Sequence, residues 1–539
     1  MINGETHLRR TVAEEQCLEH GFDFLETFRD QYHIGPLSLP CPEGFVSNEI
    51  LNWRISSCPS LHTCTVKDAD GVECGIILGH AVDNEGAYLT DTARLNAKAG
   101  APGFFDVAED FIKWASGRFV ALFVTPAGGR LYPDPVSSFG FVYDPNLKCI
   151  ASSLLVSLHR DLVENPAFDN AAIVRGSDCF GLTPKSDAYK GAYSFGMTRD
   201  VHARRSVANH FLDLDTFEMH RFWPKHDDFD RFNLSRRDIA DLIVERLNAN
   251  VRGLLSRNDA GFLVSGGYDS KMVLAAARDT MAESSHLKSY VFASTWNQSI
   301  DVHVAKAMGD TAKVPVTSVI PKAGYRGTFL ETKEDFRRKA LRYVIATGSV
   351  GKMPGTENRG FLEQLPEGGI LITGNMLEIC SAVWWPPKQG NDIEHAIARC
   401  QVAQNTPDEH EDRQARFDSW LETLPEVAKS KLHDFNYMEN TLPNTQAAYV
   451  GFTRQFRVPP ANDRAIFAAS MCAPAKWRQK RGLFWGIVQR SSPQLHKVPT
   501  VSEIKFVAKH DLDASIDELA QGDLQAVKRR FVALRGGRV

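Results

Sequence analysis

The segment "GFLVSGGYDSKMVLAAARDT", residues 261–280, constrains the fold more than any other part of the chain. An apolar run enters the hexapeptide Ser265–Ser270, and an alanine-rich apolar pattern leaves it. We predict a buried strand in "AGFLVSG" and a helix over "DSKMVLAAARDTMA". Two glycines, two hydroxyl groups and a carboxylate therefore stand at a strand-to-helix junction, which is an unusual composition for a simple connection.

The region from Ser235 onward alternates helical and strand patterns. "SRRDIADLIVERLNANVRGLLSR" has apolar residues at helical spacing behind a serine, and "SIDVHVAKAMGDTAK" predicts a second helix. "LKSYVFAST" and "PVTSVI" predict further strands. Such alternation is typical of a parallel sheet covered by helices. The remainder, to Val539, is predicted to be mainly helical, including an amphipathic helix in the basic tail "VKRRFVALRGGRV".

The first 225 or so residues are rich in strand patterns instead. Short β-type runs are separated by glycine, proline, aspartate and asparagine: "ECGIILGHAVD", "GRFVALFVTP", "GGRLYPDP", "SFGFVYDP" and "KCIASSLLVSL". The stretch "HRFWPKHDDFDRFNLS" forms a natural boundary. We therefore predict two domains, residues 1–225 and 235–539, a division that a chain of 539 residues can support with full cores.

Composition excludes several classes of function. A hydrophobic content of 43% and a charged content of 24% are typical of an ordinary soluble globular protein. A net charge of -4 gives no electrostatic argument for nucleic acid or an anionic membrane as partner. We find no signal peptide or membrane-spanning run. The ten cysteines are scattered, and the nearest pair, Cys58 and Cys64, has no recognisable partners for zinc, so we expect reduced thiols and a cytoplasmic location.

The hexapeptide has the chemistry of a phosphate site. Ligands of an open α/β sheet gather where strands end and helices begin, and a helix start attracts anions. Gly266 and Gly267 allow close backbone approach, and Ser265 and Ser270 can donate to phosphate oxygens. Asp269 would repel phosphate unless a divalent cation lay between them. We therefore predict a site for Mg²⁺-pyrophosphate; a tight turn with Ser and Asp as helix caps is the alternative.

"SGGYDS" resembles the S-G-G-x-D-S pyrophosphate loop of the ATP-pyrophosphatase superfamily, and its surroundings resemble the asparagine-synthetase-like branch. "LKSYVFAST" resembles the next strand, whose backbone reads adenine, and "SIDVHVAKAMG" carries Asp301 where the family has an acid. "GGILITGNMLEICSAVWW" resembles the second pyrophosphate-side loop, and "FRVPPANDRAIFAASMCAP" the late P-F-x-D element. The resemblance implies ATP and Mg²⁺ as cofactors. The residues implied in binding them are Ser265, Gly266, Gly267, Asp269, Ser270, Lys271, Phe292 and Gly374.

"GRFVALFVTPAGGRLYPDPVSSFGFVYDPNLKCIASSLLVSL" looks like the glutaminase-type domain of the same family. The implied architecture is an Ntn-type β-sandwich-like domain followed by an adenine nucleotide α-hydrolase-like parallel α/β domain with a helical C-terminal part. Glutamine-dependent members need a cysteine directly after the initiator methionine, because the α-amine assists the thiol. Here the chain begins Met1-Ile2, and its first cysteine, Cys17, lies in a predicted helix. We therefore expect no glutaminase activity, and we expect that this chain does not take its amine from glutamine.

The second loop departs from the family pattern L-S-G-x-G-x-D-E. Alignment on Gly374 leaves Glu378 as the acid that would share the metal with Asp269 or polarise the nucleophile; a solvated helix-start carboxylate is the alternative. A late lysine that stabilises the transition state in several relatives corresponds to Lys497 or Lys505. We favour Lys497 narrowly, because it follows a Ser-Pro-Gln-Leu turn as in relatives, and a plain surface lysine is the alternative for each.

The resemblance as a whole implies an ATP-dependent, AMP-forming ligase that activates a small-molecule or peptide carboxylate as an acyl-adenylate. Ammonia or an amine of the substrate itself would then capture the acyl group. A nucleotide-binding regulatory or scaffold protein without turnover is the alternative from another class, favoured by the altered second loop and the missing cysteine. An adenylating enzyme that acts on tRNA is disfavoured, since the chain lacks a basic footprint.

Overall fold

The structure is a computed structural model that describes residues 10–165, 194–292, 296–319, 333–348, 364–387, 393–400, 409–443, 454–510 and 515–535. Within these ranges no helix is both long enough and apolar enough to cross a membrane.

The strands of the described residues are numbered in chain order. They are β1 (Tyr32–Pro36), β2 (Val46–Ile50), β3 (Trp53–Ser57), β4 (Thr63–Lys67), β5 (Glu73–Val82), β6 (Thr92–Arg94), β7 (Ser116–Thr125), β8 (Gly128–Pro133), β9 (Val142–Asp144), β10 (Cys149–Ala151), β11 (Arg204–Arg205), β12 (His210–Asp213), β13 (Met219–Arg221), β14 (Ala260–Leu263), β15 (Lys288–Phe292), β16 (Val316–Val319), β17 (Ile370–Ile372) and β18 (Phe456–Val458).

The α-helices of the described residues are numbered in the same way. They are α1 (Val12–His20), α2 (Phe24–Thr27), α3 (Phe104–Lys113), α4 (Arg236–Leu255), α5 (Tyr268–Ala276), α6 (Arg278–Glu283), α7 (Trp296–Ala312), α8 (Lys333–Thr347), α9 (Ile393–Arg399), α10 (Glu409–Glu422), α11 (Glu426–Lys429), α12 (Leu432–Asn440), α13 (Arg464–Cys472), α14 (Ala475–Gln479), α15 (Gly482–Ser491), α16 (Pro493–His496), α17 (Val501–His510), α18 (Ile516–Gln521) and α19 (Leu524–Leu534).

Two sheets dominate the N-terminal part of the chain. One has six strands in the order β11-β9-β10-β1-β3-β2, and the other has seven in the order β13-β12-β8-β7-β5-β4-β6. Their side chains enter one buried core: the Tyr32 ring of β1 lies edge-on to Phe139 at 5.3 Å, and Trp53 of β3 stacks on Phe217 at 6.2 Å. The strands predicted from the sequence are confirmed, except that "KCIASSLLVSL" is a strand only over Cys149–Ala151 and then turns into a 3-10 helix.

The C-terminal part contains the predicted parallel sheet, with strand order β16-β15-β14-β17-β18 and parallel pairing throughout. From β14 the chain builds β15 and β16 on one side, and then returns to place β17 and β18 on the other. The junction of β14 and β17 is therefore a topological switch point, where the loops that follow the two strands diverge and leave a crevice. Mixed α/β architecture with a parallel sheet and a helical C-terminal part is thus confirmed.

Helix α4 leads into this sheet and follows the sequence pattern closely. Ser235 caps it by accepting a hydrogen bond from the Asp238 amide at 3.3 Å. Its apolar stripe is buried as the spacing predicts: Ile239, Ile243, Leu247, Val251 and Leu254. The basic tail also forms the expected helix, α19. Val527 and Phe531 are buried and Leu534 is 47% exposed, so the docked face of this helix ends before Leu534.

The N-terminal and C-terminal parts share one continuous core among the described residues. Polar contacts cross the predicted boundary as well: Asn462 donates to the Gly117 carbonyl at 2.6 Å, and Arg246 donates to the Asn84 carbonyl at 2.6 Å. The division at residues 225–235 therefore stays a prediction, and the two parts are joined by a packed interface rather than by a free linker.

Candidate functional site

The loops that follow β14 and β17 contact each other at the switch point. Gly374, just after β17, lies so close to the start of α5 that a Cβ atom on it would stand 2.6 Å from the Ser270 amide nitrogen and 2.9 Å from the Asp269 carbonyl carbon. Only glycine fits that approach. The structure thus brings together two of the segments that the sequence singled out, the Ser265–Ser270 loop and the Gly374–Glu378 loop.

The two serine hydroxyls of the first loop converge. The Ser265 amide donates to Ser270 Oγ at 3.2 Å, and the two hydroxyl oxygens are 3.1 Å apart. The Gly267 amide also donates to Ser265 Oγ, at 3.3 Å. Ser265 is exposed at the mouth of the loop, whereas Ser270 is buried beneath it. This arrangement offers one accessible hydroxyl backed by a second, which suits an anionic oxygen.

Helix α5 begins without a side-chain cap. Its N-cap is Gly267, and no side chain bonds the first amides of the helix. The alternative in which Ser and Asp act as helix caps is therefore wrong for this turn. The first N–H groups of a helix have no partner within it and form the positive end of the helix dipole. Such a start is a ready site for a phosphate group.

The two glycines of the loop are required for the space that their missing side chains leave, and not for a left-handed backbone conformation. Gly267 has φ -85°, which any residue adopts. A Cβ on Gly266 would lie 2.5 Å from a methyl group of Val501, so this position lets α17 pack onto the loop. A Cβ on Gly267 would meet only Ser265 Oγ among the described residues, at 3.1 Å. Gly267 therefore keeps the outer side of the loop open.

Two carboxylates face each other beside the helix start. Burial and the negative charge of Glu378 raise the pKa of Asp269 to about 7, against the opposing charge of Arg481. Burial also raises the pKa of Glu378, although it is hydrogen-bonded to Tyr437. Its Oε2 is buried without a hydrogen-bond partner in the described part of the chain. Two adjacent acids with an orphaned oxygen form the oxygen-rich donor set that a hard divalent cation takes, so the predicted Mg²⁺ ligands fit such an ion.

Arg481 and Tyr437 also lie around these two acids, and the sequence reasoning missed both. Arg481 donates to the Ser381 hydroxyl, and its guanidinium lies 4.5 Å over the Tyr268 ring. It has a left-handed backbone with φ 64°, which is an uncommon conformation for a residue with a side chain. Tyr437 comes from α12. Neither residue belongs to a motif, so no local signal in the sequence could have marked them.

A third group of contacts joins the loop to α7 and α17. The Gly266 amide donates to Asp301 Oδ1 at 3.0 Å, and the Gly266 carbonyl accepts from the Val501 amide at 2.9 Å. Burial raises the pKa of Asp301, while the Gly266 amide and the charge of Lys505 act against that rise. Lys505 is exposed on α17, one turn after Val501. The acid noted near the start of α7 is therefore part of the loop's support.

Three predicted residues lie elsewhere. Lys271 was expected to face phosphate, but it is fully buried, donates to the Val498 carbonyl and lies 5.5 Å from the Trp485 ring. Its position in α5 directs it to the helical layer, away from the loop. Lys497 is exposed at the end of α16, and within the described residues its side chain has no hydrogen bond or ion pair. Phe292 ends β15, next to residues that lie outside the described ranges.

Comparison with protein-family models gives no match for this chain, and comparison with curated proteins gives no significant match. The functional argument therefore depends on the geometry of the residues themselves.

Replacement of Gly374 tests the contact between the loops. We expect Gly374→Ala to lower the free energy of unfolding by about 1–3 kcal/mol, because the new methyl group overlaps backbone atoms that cannot move independently of α5. Urea unfolding measures this. Gly486→Ala is the matched control, since a Cβ there would meet its neighbours at 3.6 Å or more. Equal stability of the two variants would contradict the close approach of the loops.

Proposed function

We propose that the protein is an ATP-dependent, AMP-forming ligase that joins a carboxylate to an amine. The observation that carries the proposal is the uncapped start of α5 at the switch point, together with two serine hydroxyls and two acids in the loops around it. An uncapped helix start and hydroxyl groups suit phosphate, and neighbouring carboxylates suit a divalent cation that accompanies it. The resemblance of "SGGYDS" to a pyrophosphate loop points to the same chemistry.

The phosphate end of the nucleotide would bind in the Ser265–Ser270 loop. Ser265 Oγ and the first amides of α5 are the donors available there, and Gly267 leaves the approach to them open. Ser270 supports Ser265 from beneath through their 3.1 Å contact. These groups stand on a strand end and a helix start, so they are held rigidly before the nucleotide arrives. Preorganised donors of this kind stabilise charge as it develops on leaving pyrophosphate.

Asp269 and Glu378 would hold Mg²⁺ against the phosphates. Burial raises the pKa of both acids, and the negative charge of Glu378 raises that of Asp269 further, so a bound cation would stabilise their charged forms. When bound, Mg²⁺ supplies Lewis-acid neutralisation of phosphate charge. The positive charge of Arg481 also acts on Asp269 and supplies part of the same compensation.

The reaction divides into two steps. A carboxylate oxygen of the substrate attacks the α-phosphorus, and pyrophosphate leaves into the loop. An amine then attacks the acyl carbon, and AMP leaves. The incoming amine must lose a proton, and the unpartnered Oε2 of Glu378 is an acceptor within the site when it is not bound to the cation. Most of the acceleration would come from positioning the two reactants in the crevice.

Exchange of labelled pyrophosphate into ATP tests the first step over a panel of carboxylates. We expect exchange at least tenfold above a carboxylate-free control for one class of acid, with Mg²⁺ required. In the same mixtures glutamine should release no glutamate above a heat-inactivated control. Magnesium-dependent ATP binding without exchange for any acid would favour the regulatory or scaffold alternative. Steady glutamate release would contradict the expected loss of glutaminase activity.

A further inference from the structure

A second group of chemically reactive side chains lies in the N-terminal part, away from the nucleotide crevice. His33 belongs to β1 and Cys149 begins β10, which pairs with β1 so that His33 stands opposite Ala151. Because side chains two residues apart share a face of a strand, Cys149 lies on the same face as His33. His159 follows the 3-10 helix Leu155–Ser157 and reaches the same place.

The three donor atoms converge on one point. His33 Nε2 is 2.9 Å from His159 Nε2 and 3.2 Å from Cys149 Sγ, and all three atoms lie within 4.8 Å of one another. A ring nitrogen carries either one proton or one lone pair. His33 Nε2 therefore cannot make two separate, well-directed hydrogen bonds to these two neighbours. A shared cation accepts a lone pair from each of the three atoms and resolves the conflict.

The three residues lie inside the protein, away from solvent. His33, Cys149 and His159 are 2%, 0% and 5% exposed. Asp144, opposite Cys149 in the strand pairing, is bonded to Arg160 at 2.7 Å and adds nearby negative charge.

We propose that His33, Cys149 and His159 form a transition-metal site, with Zn²⁺ as its ion. Imidazole and thiolate are the donors that zinc prefers, at about 2.0–2.1 Å for nitrogen and about 2.3 Å for sulfur. Tetrahedral bonds of those lengths put the nitrogens about 3.3 Å apart and nitrogen and sulfur about 3.6 Å apart. Separations of 2.9 Å and 3.2 Å reach these values when each pair of donors moves apart by about 0.4 Å.

Such an ion would link His159, in the segment that follows β10, to His33 in β1. The Leu158 carbonyl, next to His159, accepts from the Val12 amide at 2.9 Å and so supports α1. Gln31, two residues before His33, donates to the Ala346 carbonyl of α8 at 2.8 Å. The metal therefore stands where the N-terminal helix, the first sheet and α8 meet. Its role is structural, and it is independent of the proposed ligase chemistry.

Metal content of the untagged full-length protein tests the proposal. We expect about one zinc per chain by elemental analysis, and a cobalt-exchanged protein with the near-ultraviolet charge-transfer band of a cobalt–thiolate bond. Cys149→Ser should remove this band and lower the cobalt affinity at least tenfold. Cys74→Ser is the matched control, because Cys74 is equally buried and the one hydrogen bond of its sulfur in the described structure is to the Val66 carbonyl, at 3.6 Å.

The outcomes separate clearly. A wild-type chain that contains no metal and takes up neither zinc nor cobalt would overturn the site, and so would metal uptake that Cys149→Ser leaves unchanged. Copper(I) in place of zinc, lost in the same variant, would support the three ligands and correct the ion. If Cys149→Ser does not fold, His159→Ala is measured in its place, and an unchanged cobalt affinity in that variant overturns the site.

Discussion

Asp269→Asn is expected to lower the magnesium-dependent affinity for a non-hydrolysable ATP analogue at least about a hundredfold, which corresponds to about 2.7 kcal/mol. The substitution removes one of the two carboxylates that the cation would bind, and it leaves the size of the side chain unchanged. Asparagine caps a helix about as well as aspartate. A loss of affinity therefore reports the negative charge of Asp269 and not its effect on α5.

The same variant should be more stable than the wild type when no metal is present. The pKa of Asp269 is raised to about 7, above its ordinary value of 3.8, so the folded chain binds this proton more tightly than the unfolded chain does. Stability is therefore lost as the pH rises from about 4 to about 7. Asp269→Asn avoids that loss, and we expect it to raise the free energy of unfolding by about 1–3 kcal/mol at pH 8 and little at pH 4.

Calorimetric titration with and without Mg²⁺ measures the affinity, and urea unfolding of the chelator-treated protein measures the stability. Asp279→Asn is the matched control, since Asp279 is an exposed acid of the neighbouring helix α6, and its one ion pair among the described residues is with Arg278. Equal magnesium-dependent affinities in wild type and Asp269→Asn would refute the metal role. Loss of affinity together with loss of stability would instead mean that the substitution disturbs the fold.

The sequence predicted the elements that depend on local pattern. Helix α4 and the strand-to-helix junction at Ser265 follow from periodicity and from the serine before Arg236, and both are confirmed. The parallel sheet follows from alternation of strands and helices. These signals are strong because each depends on a pattern within a short window of sequence. The division into two domains was less predictable, because the shared core arises from residues far apart in sequence.

The parts of the site that the sequence did not predict depend on tertiary contacts. Tyr437 contacts Glu378 from α12, and the charge of Arg481 acts on Asp269 from the residue just before α15; neither segment carries a motif. Lys271 was assigned to phosphate by its proximity in sequence to the loop. The phase of α5 places it on the same side as Tyr268, whose ring packs on Phe484 at 4.7 Å, and this side faces the helical layer. Helix phase was therefore the signal that could have corrected this expectation.

The spacing of residues along the sequence also could not predict the cluster of His33, Cys149 and His159. More than a hundred residues separate His33 from Cys149, and only the pairing of β1 with β10 brings them together. A search for zinc motifs looks for cysteines or histidines a few residues apart. The sequence reasoning consequently weighed Cys58 and Cys64, which are buried and belong to no such cluster among the described residues.

The second large effect is expected from replacement of one of the two late lysines, Lys497 and Lys505. The sequence favours Lys497 as the catalytic cation, whereas the geometry favours Lys505. Lys505 stands one turn after Val501, whose amide bonds the Gly266 carbonyl, and its charge acts on Asp301, which holds the Gly266 amide. It therefore lies beside the first loop. Lys497 is exposed at the end of α16 and makes no such connection in the described residues.

We expect Lys505→Met to lower kcat/KM for the ligase reaction about a hundredfold, and Lys497→Met to leave it within about threefold. Negative charge grows on the α-phosphate as it is attacked, so a cation at its side is worth more in the transition state than in the ground state. Most of the loss should consequently appear in kcat, with KM for ATP changed little. Methionine preserves the length and apolar stem of lysine, so the comparison isolates the charge.

Lys509→Met is the matched control, because Lys509 is an exposed lysine of the same helix, one turn beyond Lys505. Initial rates of pyrophosphate exchange and of amide formation, measured with the acid found in the exchange panel, report the two steps separately. Loss of exchange in Lys505→Met alone would place its charge at the α-phosphate. Full activity in both Lys505→Met and Lys497→Met would mean that another cation stabilises the transition state. Arg481, whose charge already acts on Asp269, would then be the candidate.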